Sequence, residues 1–270
     1  MMQWPARLIL VGAGKMGGAM ALGWLEGGLA PSSLTILEPN PSEEIGSLAA
    51  SRCVSLNAPN FAPPDVLVLA VKPQSLDAAA SKIAPFADRR TLVLSILAGK
   101  TIANLKARLP GARAVVRAMP NTPAAIGRGV TAAYANPDVT AEQRRWSERL
   151  FGVVGAFHWL DDEAAIDAVT AISGSGPAYV FALTEALAAA AEKLGLPAEL
   201  AMSLARGTVE GSGELMRRES ATSPATLRRN VTSPGGTAAG LEVPKGPDGL
   251  KSLMTRAVAA ATRRSKELAK

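Results

Sequence analysis

The chain is poor in the side chains that most often do chemistry unaided: among 270 residues there is one histidine, His158, and one cysteine, Cys53. These counts exclude a zinc site of His and Cys ligands, a Cys-x-x-Cys redox pair and an intramolecular disulfide. A Ser-His-Asp triad would have to run through His158. Aromatic residues make up 4% of the chain, leaving few stacking platforms for single-stranded nucleic acid. No apolar run reaches the ~18 residues of a membrane span. The segment Met1–Arg7 carries little positive charge, and Leu8-Ile9-Leu10-Val11 is too short for a signal-peptide core. The expectations are therefore no metal, no membrane, no nucleic acid and a cytoplasmic location. Chemistry has to come from a cofactor, from backbone donors, or from Lys, Asp, Glu, Ser, Thr and Tyr.

What is present is a basic, moderately apolar chain, with 29 Lys+Arg against 23 Asp+Glu, a net charge of +6 and 48% hydrophobic residues. The basic residues come as scattered pairs such as Arg89-Arg90, Arg144-Arg145 and Arg217-Arg218, a pattern of solvated helix faces with some attraction for anionic ligands. Residues 1–160 alternate short β-branched or apolar runs with helical patterns. Strands are predicted at Arg7–Val11, Leu34–Glu38, Val66–Val71, Thr91–Ile96, Ala114–Ala118, Val130–Tyr134 and Ala156–Leu160, with helices at Met16–Gly27, Ser42–Ser51, Ser75–Phe86 and Ile102–Leu109. That alternation indicates a parallel sheet covered on both faces. From Asp161 onwards Ala, Leu and Glu dominate, and long helices are predicted at Pro177–Leu194, Pro197–Leu215 and Gly249–Ala269. The architecture reads as an α/β domain over 1–160 followed by an all-α domain over 161–270. The helix around Ala182–Ala191 is apolar nearly all round, so it needs cover from its own chain or from a second subunit.

Gly12-Ala13-Gly14-Lys15-Met16-Gly17 is a G-x-G-x-x-G turn between the first strand and the first helix. In that context Gly12 permits the tight turn, Gly14 lets backbone approach a pyrophosphate, and Gly17 lets helix and strand pack closely, so the first domain is a Rossmann-type dinucleotide-binding domain. A Walker A site is excluded, because no Gly-Lys-Ser/Thr stands at the required spacing. At the end of the second strand, Glu38 would accept from a ribose 2′-hydroxyl, whereas Asn40 and Ser42 could donate to a 2′-phosphate. The choice between NADH and NADPH stays open on these residues.

Four further segments are more specific: Ala70-Val71-Lys72-Pro73; Arg117-Ala118-Met119-Pro120-Asn121-Thr122-Pro123; Ser173-Gly174-Ser175-Gly176-Pro177-Ala178-Tyr179; and Thr232-Ser233-Pro234-Gly235-Gly236-Thr237. With the glycine turn, in this order, they resemble the pyrroline-5-carboxylate reductases, which catalyse the last step of proline biosynthesis. The resemblance covers the chain from about Leu8 onwards. It implies an NAD(P)H-dependent oxidoreductase acting on a C=N bond, with a helical dimerisation domain and a homodimer or higher oligomer.

Carried over, Gly12, Ala13, Gly14, Lys15, Met16 and Gly17 cradle the pyrophosphate, and Glu38, Asn40 and Asn57 lie along the adenosine ribose. Ala70, Val71, Lys72, Pro73, Leu97 and Ala98 line the cofactor cleft, and Asn121 sits near the nicotinamide. Lys72 has a second reading as a surface lysine capping strand carbonyls. Asn230 bridges cofactor and substrate regions. Ser233, Gly235, Gly236 and Thr237 form the substrate loop, whose exposed N–H groups suit a small carboxylate, with Thr237 as the catalytic hydroxyl. Glu163 matches an acidic position near the substrate, where it would favour a protonated imine, although an ordinary surface glutamate explains it as well.

Two departures from the family pattern stand out. The second Thr usual after this loop is Ala238 here, and Val243-Pro244-Lys245-Gly246-Pro247 interrupts a stretch that is usually helical. The alternatives are a β-hydroxyacid dehydrogenase or imine reductase relative acting on another small carboxylated substrate, and a cofactor-binding protein with impaired turnover, for which Ala238 is the motivating feature.

Overall fold

A computed structural model of the chain describes residues 3–58, 62–232 and 249–268. Ser233, Gly235, Gly236, Thr237, Ala238 and the 243–247 interruption lie outside the described residues. The described contacts group into two compact units, one of 1–175 with 261–270 and one of 176–260. The expected division at 160/161 falls at the end of the last strand. By contacts, the sheet-bearing unit continues to Ser175 and regains the end of the chain.

The first unit is built on an eight-stranded sheet: β1 (Leu8–Val11), β2 (Leu34–Leu37), β3 (Ser55–Leu56), β4 (Val66–Leu69), β5 (Leu92–Ser95), β6 (Val115–Met119), β7 (Gly129–Ala135) and β8 (Gly155–Trp159). Its order is β3-β2-β1-β4-β5-β6-β7-β8. The first six strands therefore follow the doubly wound order 3-2-1-4-5-6, which reverses direction between β1 and β4. Strands β1, β4 and β5 are buried along their whole length, as expected of parallel strands covered on both faces. Alternate residues feed two cores. Leu8 and Leu10 pack with Met20, Trp24 and Phe151 on one face, and Ile9 and Val11 pack with Leu76, Ile83 and Leu105 on the other. Trp24, fully buried, satisfies its indole N–H by donating to the Leu150 carbonyl at 2.8 Å.

Helices α1 (Lys15–Glu26), α2 (Glu43–Arg52), α3 (Leu76–Ile83) and α4 (Ile102–Arg108) occupy the predicted places. Several expected strands overran by one or two residues. Glu38, Ala70-Val71 and Ile96 leave the ladder at the carboxyl ends of β2, β4 and β5 to form the loops above the sheet. A helix that hydrophobic periodicity did not reveal, α5 (Ala141–Gly152), starts at a capping box of Thr140 and Gln143. The Thr-x-x-Gln spacing was its legible signal.

The sheet is not wholly parallel, since β7 runs antiparallel to β6 and parallel to β8. The link from Met119 to Gly129 holds only a 3-10 turn, Thr122–Ile126, closed by Gly127 at φ +66. A parallel return needs a crossover of a dozen or more residues, so this link forces a reversal.

After β8 come α6 (Ala165–Val169) and a π-helical turn, Thr170–Gly174. Within the first unit the end of α10 (Leu250–Leu268) docks through Ser265, whose hydroxyl donates to Asp167 at 2.7 Å.

The second unit contains α7 (Gly176–Lys193), α8 (Ala198–Arg218), α9 (Pro224–Asn230) and the start of α10. Helices α7 and α8 are joined through Gly195, at φ +92. They bury only Ala188, Ala201 and Ala205, whereas Phe181 is 62% and Leu204 51% exposed. The helical stretch Ala165–Lys193 is long and apolar enough to cross a membrane by length and composition, with 11% of its apolar window buried inside the chain. No continuous apolar run was evident there because Asp167 and residues 173–177 interrupt it.

Candidate dinucleotide site

The turn after β1 is shaped by three glycines under different constraints. Gly12 sits at φ +93, and a Cβ on it would stand 2.7 Å from the Ala70 carbonyl carbon and the Val71 nitrogen. The loop after β4 therefore lies against the loop after β1, at the point where the strand order reverses. A Cβ on Gly17 would come within 2.2 Å of the Gly12 carbonyl oxygen, so this glycine is required by packing alone. Gly14 differs, because a Cβ there would meet nothing within 4 Å, and its φ of −67 suits any residue. The protein itself does not ask for glycine at 14. Open space above an exposed N-terminal turn of α1 is what the close approach of a pyrophosphate requires.

Glu38 joins this turn to the end of β2. Its Oε2 accepts from the Ala13 N–H at 2.9 Å and its Oε1 from the Asn40 N–H at 3.0 Å. Asn57, in the left-handed region at φ 54, holds the Glu38 backbone from the other side. The Asn57 Oδ1 accepts from the Glu38 N–H and its Nδ2 donates to the Glu38 carbonyl, both at 2.8 Å. Beside this clamp a cavity of about 510 Å³ is lined by Glu38, Pro39, Ala58, Val71, Ala79 and Ile83 among others. Its apolar walls and its place at the carboxyl ends of β1, β2 and β4 suit an adenine ring.

The structure thus brings together Gly12, Ala13, Gly14, Glu38, Asn40, Asn57, Ala70 and Val71. Lys15 is exposed and Met16 half-buried in the first turn of α1. Lys72 is exposed, and Pro73 opens a 3-10 turn in which the Lys72 carbonyl accepts from the Ser75 N–H at 2.9 Å. Leu97 is buried and Ala98 half-buried in the loop after β5. Asn230 is exposed at the end of α9 in the second unit. His158 is exposed on β8. No group of three or more His, Cys, Asp or Glu suited to a metal occurs among the described residues.

Asn121 and Glu163 have tasks that sequence reasoning did not foresee. The Asn121 Oδ1 accepts from the Val130 N–H at 2.8 Å, and its Nδ2 donates to the Ser173 carbonyl at 3.0 Å. Its amide ties the loop after β6 to the π-helical turn. Asn121→Ala is expected to lower stability by roughly 1–3 kcal/mol, since two part-buried backbone groups lose their bonds. Denaturant unfolding followed by circular dichroism checks it.

Glu163 uses Oε1 to accept from the Ile102 N–H at the start of α4, at 2.8 Å, and pairs with Arg117 at 3.2 Å. Arg117, 3% exposed in the middle of β6, also lies 3.9 Å from Asp167. The signal for this cluster was Arg117 itself, a charged residue inside the apolar run Val115–Met119.

A doubly wound sheet with a glycine cradle and an apolar-walled cavity at its switch point defines a nicotinamide-dinucleotide oxidoreductase. Residues 7–99 match the family described as NADP oxidoreductase coenzyme F420-dependent, and 163–268 match pyrroline-5-carboxylate reductase dimerisation. The chain is 42% identical over 265 residues to a pyrroline-5-carboxylate reductase of Pseudomonas aeruginosa, covering 97% of each chain. It is 38% identical over 267 residues to that of Pisum sativum, covering 96% of this chain and 94% of the other. Among solved structures, a pyrroline-5-carboxylate reductase from Coxiella burnetii superposes with a TM-score of 0.89 at 32% identity, over 98% of this chain and 99% of that one. A Plasmodium falciparum pyrroline carboxylate reductase with NADP bound gives 0.81 at 29% identity, over 98% of both. The chain belongs to the pyrroline-5-carboxylate reductase family.

Proposed function

We infer that the protein reduces 1-pyrroline-5-carboxylate to L-proline with NAD(P)H. The observation that carries this reading furthest is Gly14, a glycine that the protein's own packing does not require, in a chain that matches these reductases over nearly its whole length. When bound, the dinucleotide supplies a hydride to the C=N carbon of the cyclic imine, and the protein contributes position and electrostatics.

In this proposal the backbone N–H groups of the 12–17 turn and the positive end of α1 hold the pyrophosphate. Lys72, Pro73, Leu97 and Ala98 bound the cofactor cleft, and the loop carrying Asn121 limits it on the nicotinamide side. Ser233, Gly235 and Gly236 hold the substrate carboxylate through backbone and hydroxyl donors, with Asn230 completing that wall. Thr237 keeps a hydroxyl at the ring nitrogen, where the proton must be held or delivered, since Ala238 has none. A histidine is not needed, because a protonated imine is already electrophilic. Glu163 acts at one remove: it caps α4 and pairs with Arg117.

The apolar side chains that α7 and α8 leave exposed, Phe181 and Leu204 among them, support a homodimer or a higher assembly of dimers. A second copy of the chain is the cover proposed for the 165–193 stretch, in place of a bilayer, because the dimerisation match includes that stretch. We place the protein in the cytoplasm, because reduced nicotinamide dinucleotides are made and consumed inside cells.

The test is direct. Purified protein is expected to consume NADH or NADPH, read at 340 nm, only when 1-pyrroline-5-carboxylate is added, and to form proline in equal amount. Absence of substrate-dependent oxidation with both cofactors would sink the reading. Thr237→Val is expected to lower kcat by roughly 10²-fold, within the range of one lost acid–base group, with cofactor binding unchanged. An unaltered kcat would remove Thr237 from the mechanism.

A further inference from the structure

We propose that Glu38 makes this chain select NADH over NADPH, its carboxylate taking the adenosine ribose 2′-hydroxyl and turning away a 2′-phosphate. The inference rests on the dinucleotide reading above and concerns a choice that the family match leaves open. Three observations carry it. The first is that Glu38 is held in place. Each carboxylate oxygen accepts one backbone N–H, from Ala13 and from Asn40, and Asn57 clamps the backbone of Glu38 on both its N–H and its carbonyl. A carboxylate has about four acceptor positions, so two remain for hydroxyl donors. Because the bond to Ala13 comes from the glycine turn, the carboxylate is fixed at the wall shared by the pyrophosphate cradle and the adenine cavity, where an adenosine ribose has to pass.

The second observation is the chemistry of the segment after β2. Pro39-Asn40-Pro41-Ser42 offers no guanidinium or ammonium group. The Ser42 hydroxyl oxygen is occupied as the N-cap of α2, accepting from the Ile45 N–H at 3.3 Å. Pro41 has no N–H, and the Asn40 N–H is already given to Glu38. The Ser42 hydroxyl hydrogen and the Asn40 side-chain amide can still donate, but both groups are neutral, so nothing in this segment offsets the charge of a 2′-phosphate.

Third, the charged side chains that immediately follow this segment are negative. The first turn of α2 carries Glu43 and Glu44, which oppose the partial positive charge of that helix end. On the other wall Lys82 is the cation among the described cavity residues. A 2′-phosphate brings about −1.5 to −2 charges, and placed against a fixed carboxylate it meets repulsion that one lysine across the cavity does not cancel. A 2′-hydroxyl instead donates to the acceptor provided.

The experiment is direct binding to the full-length protein without substrate, titrating NADH and NADPH separately and reading nucleotide fluorescence. NADH is expected to bind at least tenfold more tightly than NADPH. Glu38→Gln keeps the shape and an amide oxygen for one backbone N–H but removes the charge. It is expected to weaken NADH several-fold, tighten NADPH, and bring the two dissociation constants within about threefold. A second variant leaves the Glu38 bonds intact: Pro39→Arg adds a guanidinium beside the ribose site and is expected to improve NADPH binding by more than it changes NADH binding.

Equal or tighter binding of NADPH by the wild-type protein overturns the proposal. So does a preference for NADH that survives Glu38→Gln in folded protein, or a Pro39→Arg variant whose NADPH affinity rises no more than its NADH affinity. Binding of neither nucleotide overturns it together with the dinucleotide reading. If both bind as expected but pyrroline-5-carboxylate does not oxidise them, the substrate reading fails and the role of Glu38 stands.

Discussion

Gly12→Ala is expected to cost roughly 3 kcal/mol or more and to abolish dinucleotide binding, while Gly14→Ala leaves stability within about 0.5 kcal/mol of wild type and still weakens the cofactor by tenfold or more. The contrast follows from the space at each position. At Gly12 a side chain would adopt φ +93 and sit 2.7 Å from backbone atoms of Ala70 and Val71, which cannot move without shifting β4. Left-handed strain alone accounts for about 1–2 kcal/mol, and the backbone collision adds to it. At Gly14 nothing in the protein lies within 4 Å and φ is −67, so a methyl group is free of strain until a pyrophosphate arrives. Thermal melts of the two variants, alone and with saturating NADH, separate the roles. Gly14→Ala should melt like wild type when free and gain less from the cofactor. If instead it melts several degrees low without cofactor, the glycine serves the fold, and the strongest structural support for a ligand at this turn is lost.

The second large effect lies away from the cofactor. Arg117→Met is expected to destabilise the protein by roughly 3–5 kcal/mol, the usual cost of leaving a buried charge without its partner. In a chain of this size that corresponds to about 6–20 °C in Tm. The guanidinium is 4% exposed and lies 3.2 Å from Glu163 and 3.9 Å from Asp167, which are themselves 27% and 13% exposed. Without it, two carboxylates face each other in a poorly solvated site. Glu163 would then hold α4 through Ile102, and Asp167 would hold α10 through Ser265, against mutual repulsion. Arg117→Lys is expected to fall between, because an ammonium group keeps the charge but not the fork geometry. A drop in Tm below 3 °C for Arg117→Met would mean that the carboxylates find other partners or water. Direct binding of NADH should be nearly unchanged in both variants at temperatures where they are folded, which separates this cluster from the cofactor cradle.

These two sites also mark how far residue patterns carry. The glycine turn was legible because its constraints are local. Strand, three spaced glycines and helix are contiguous, and the first strand declares itself by an unbroken apolar run, Leu8–Val11. Helices α7 and α8 were legible for the same reason, opening at Pro177 and Pro197, where a helix start accepts proline. Where periodicity was weak, smaller signals were present but easily passed over, as with the Thr140–Gln143 box before α5 and the Ser223-Pro224 start of α9. The reversal at β7 was not foreseen from alternation of strands and helices, because it depends on the Met119–Gly129 link being too short for a crossover.

Propensity, spacing and order along the chain encode the two-part plan, the dinucleotide turn and the resemblance to pyrroline-5-carboxylate reductases, so these were readable from the residues alone. The near absence of histidine and cysteine likewise pointed to chemistry carried by a cofactor. What the polar side chains do emerges when residues far apart in the chain meet in the folded unit. Folding turned Asn121 to Ser173 and Val130, paired Glu163 with Arg117 and the start of α4, and set the carboxylate of Glu38 onto the Ala13 N–H. A buried or half-buried polar group must find partners, and which partners are within reach is a property of the packed sheet, not of any local run of residues.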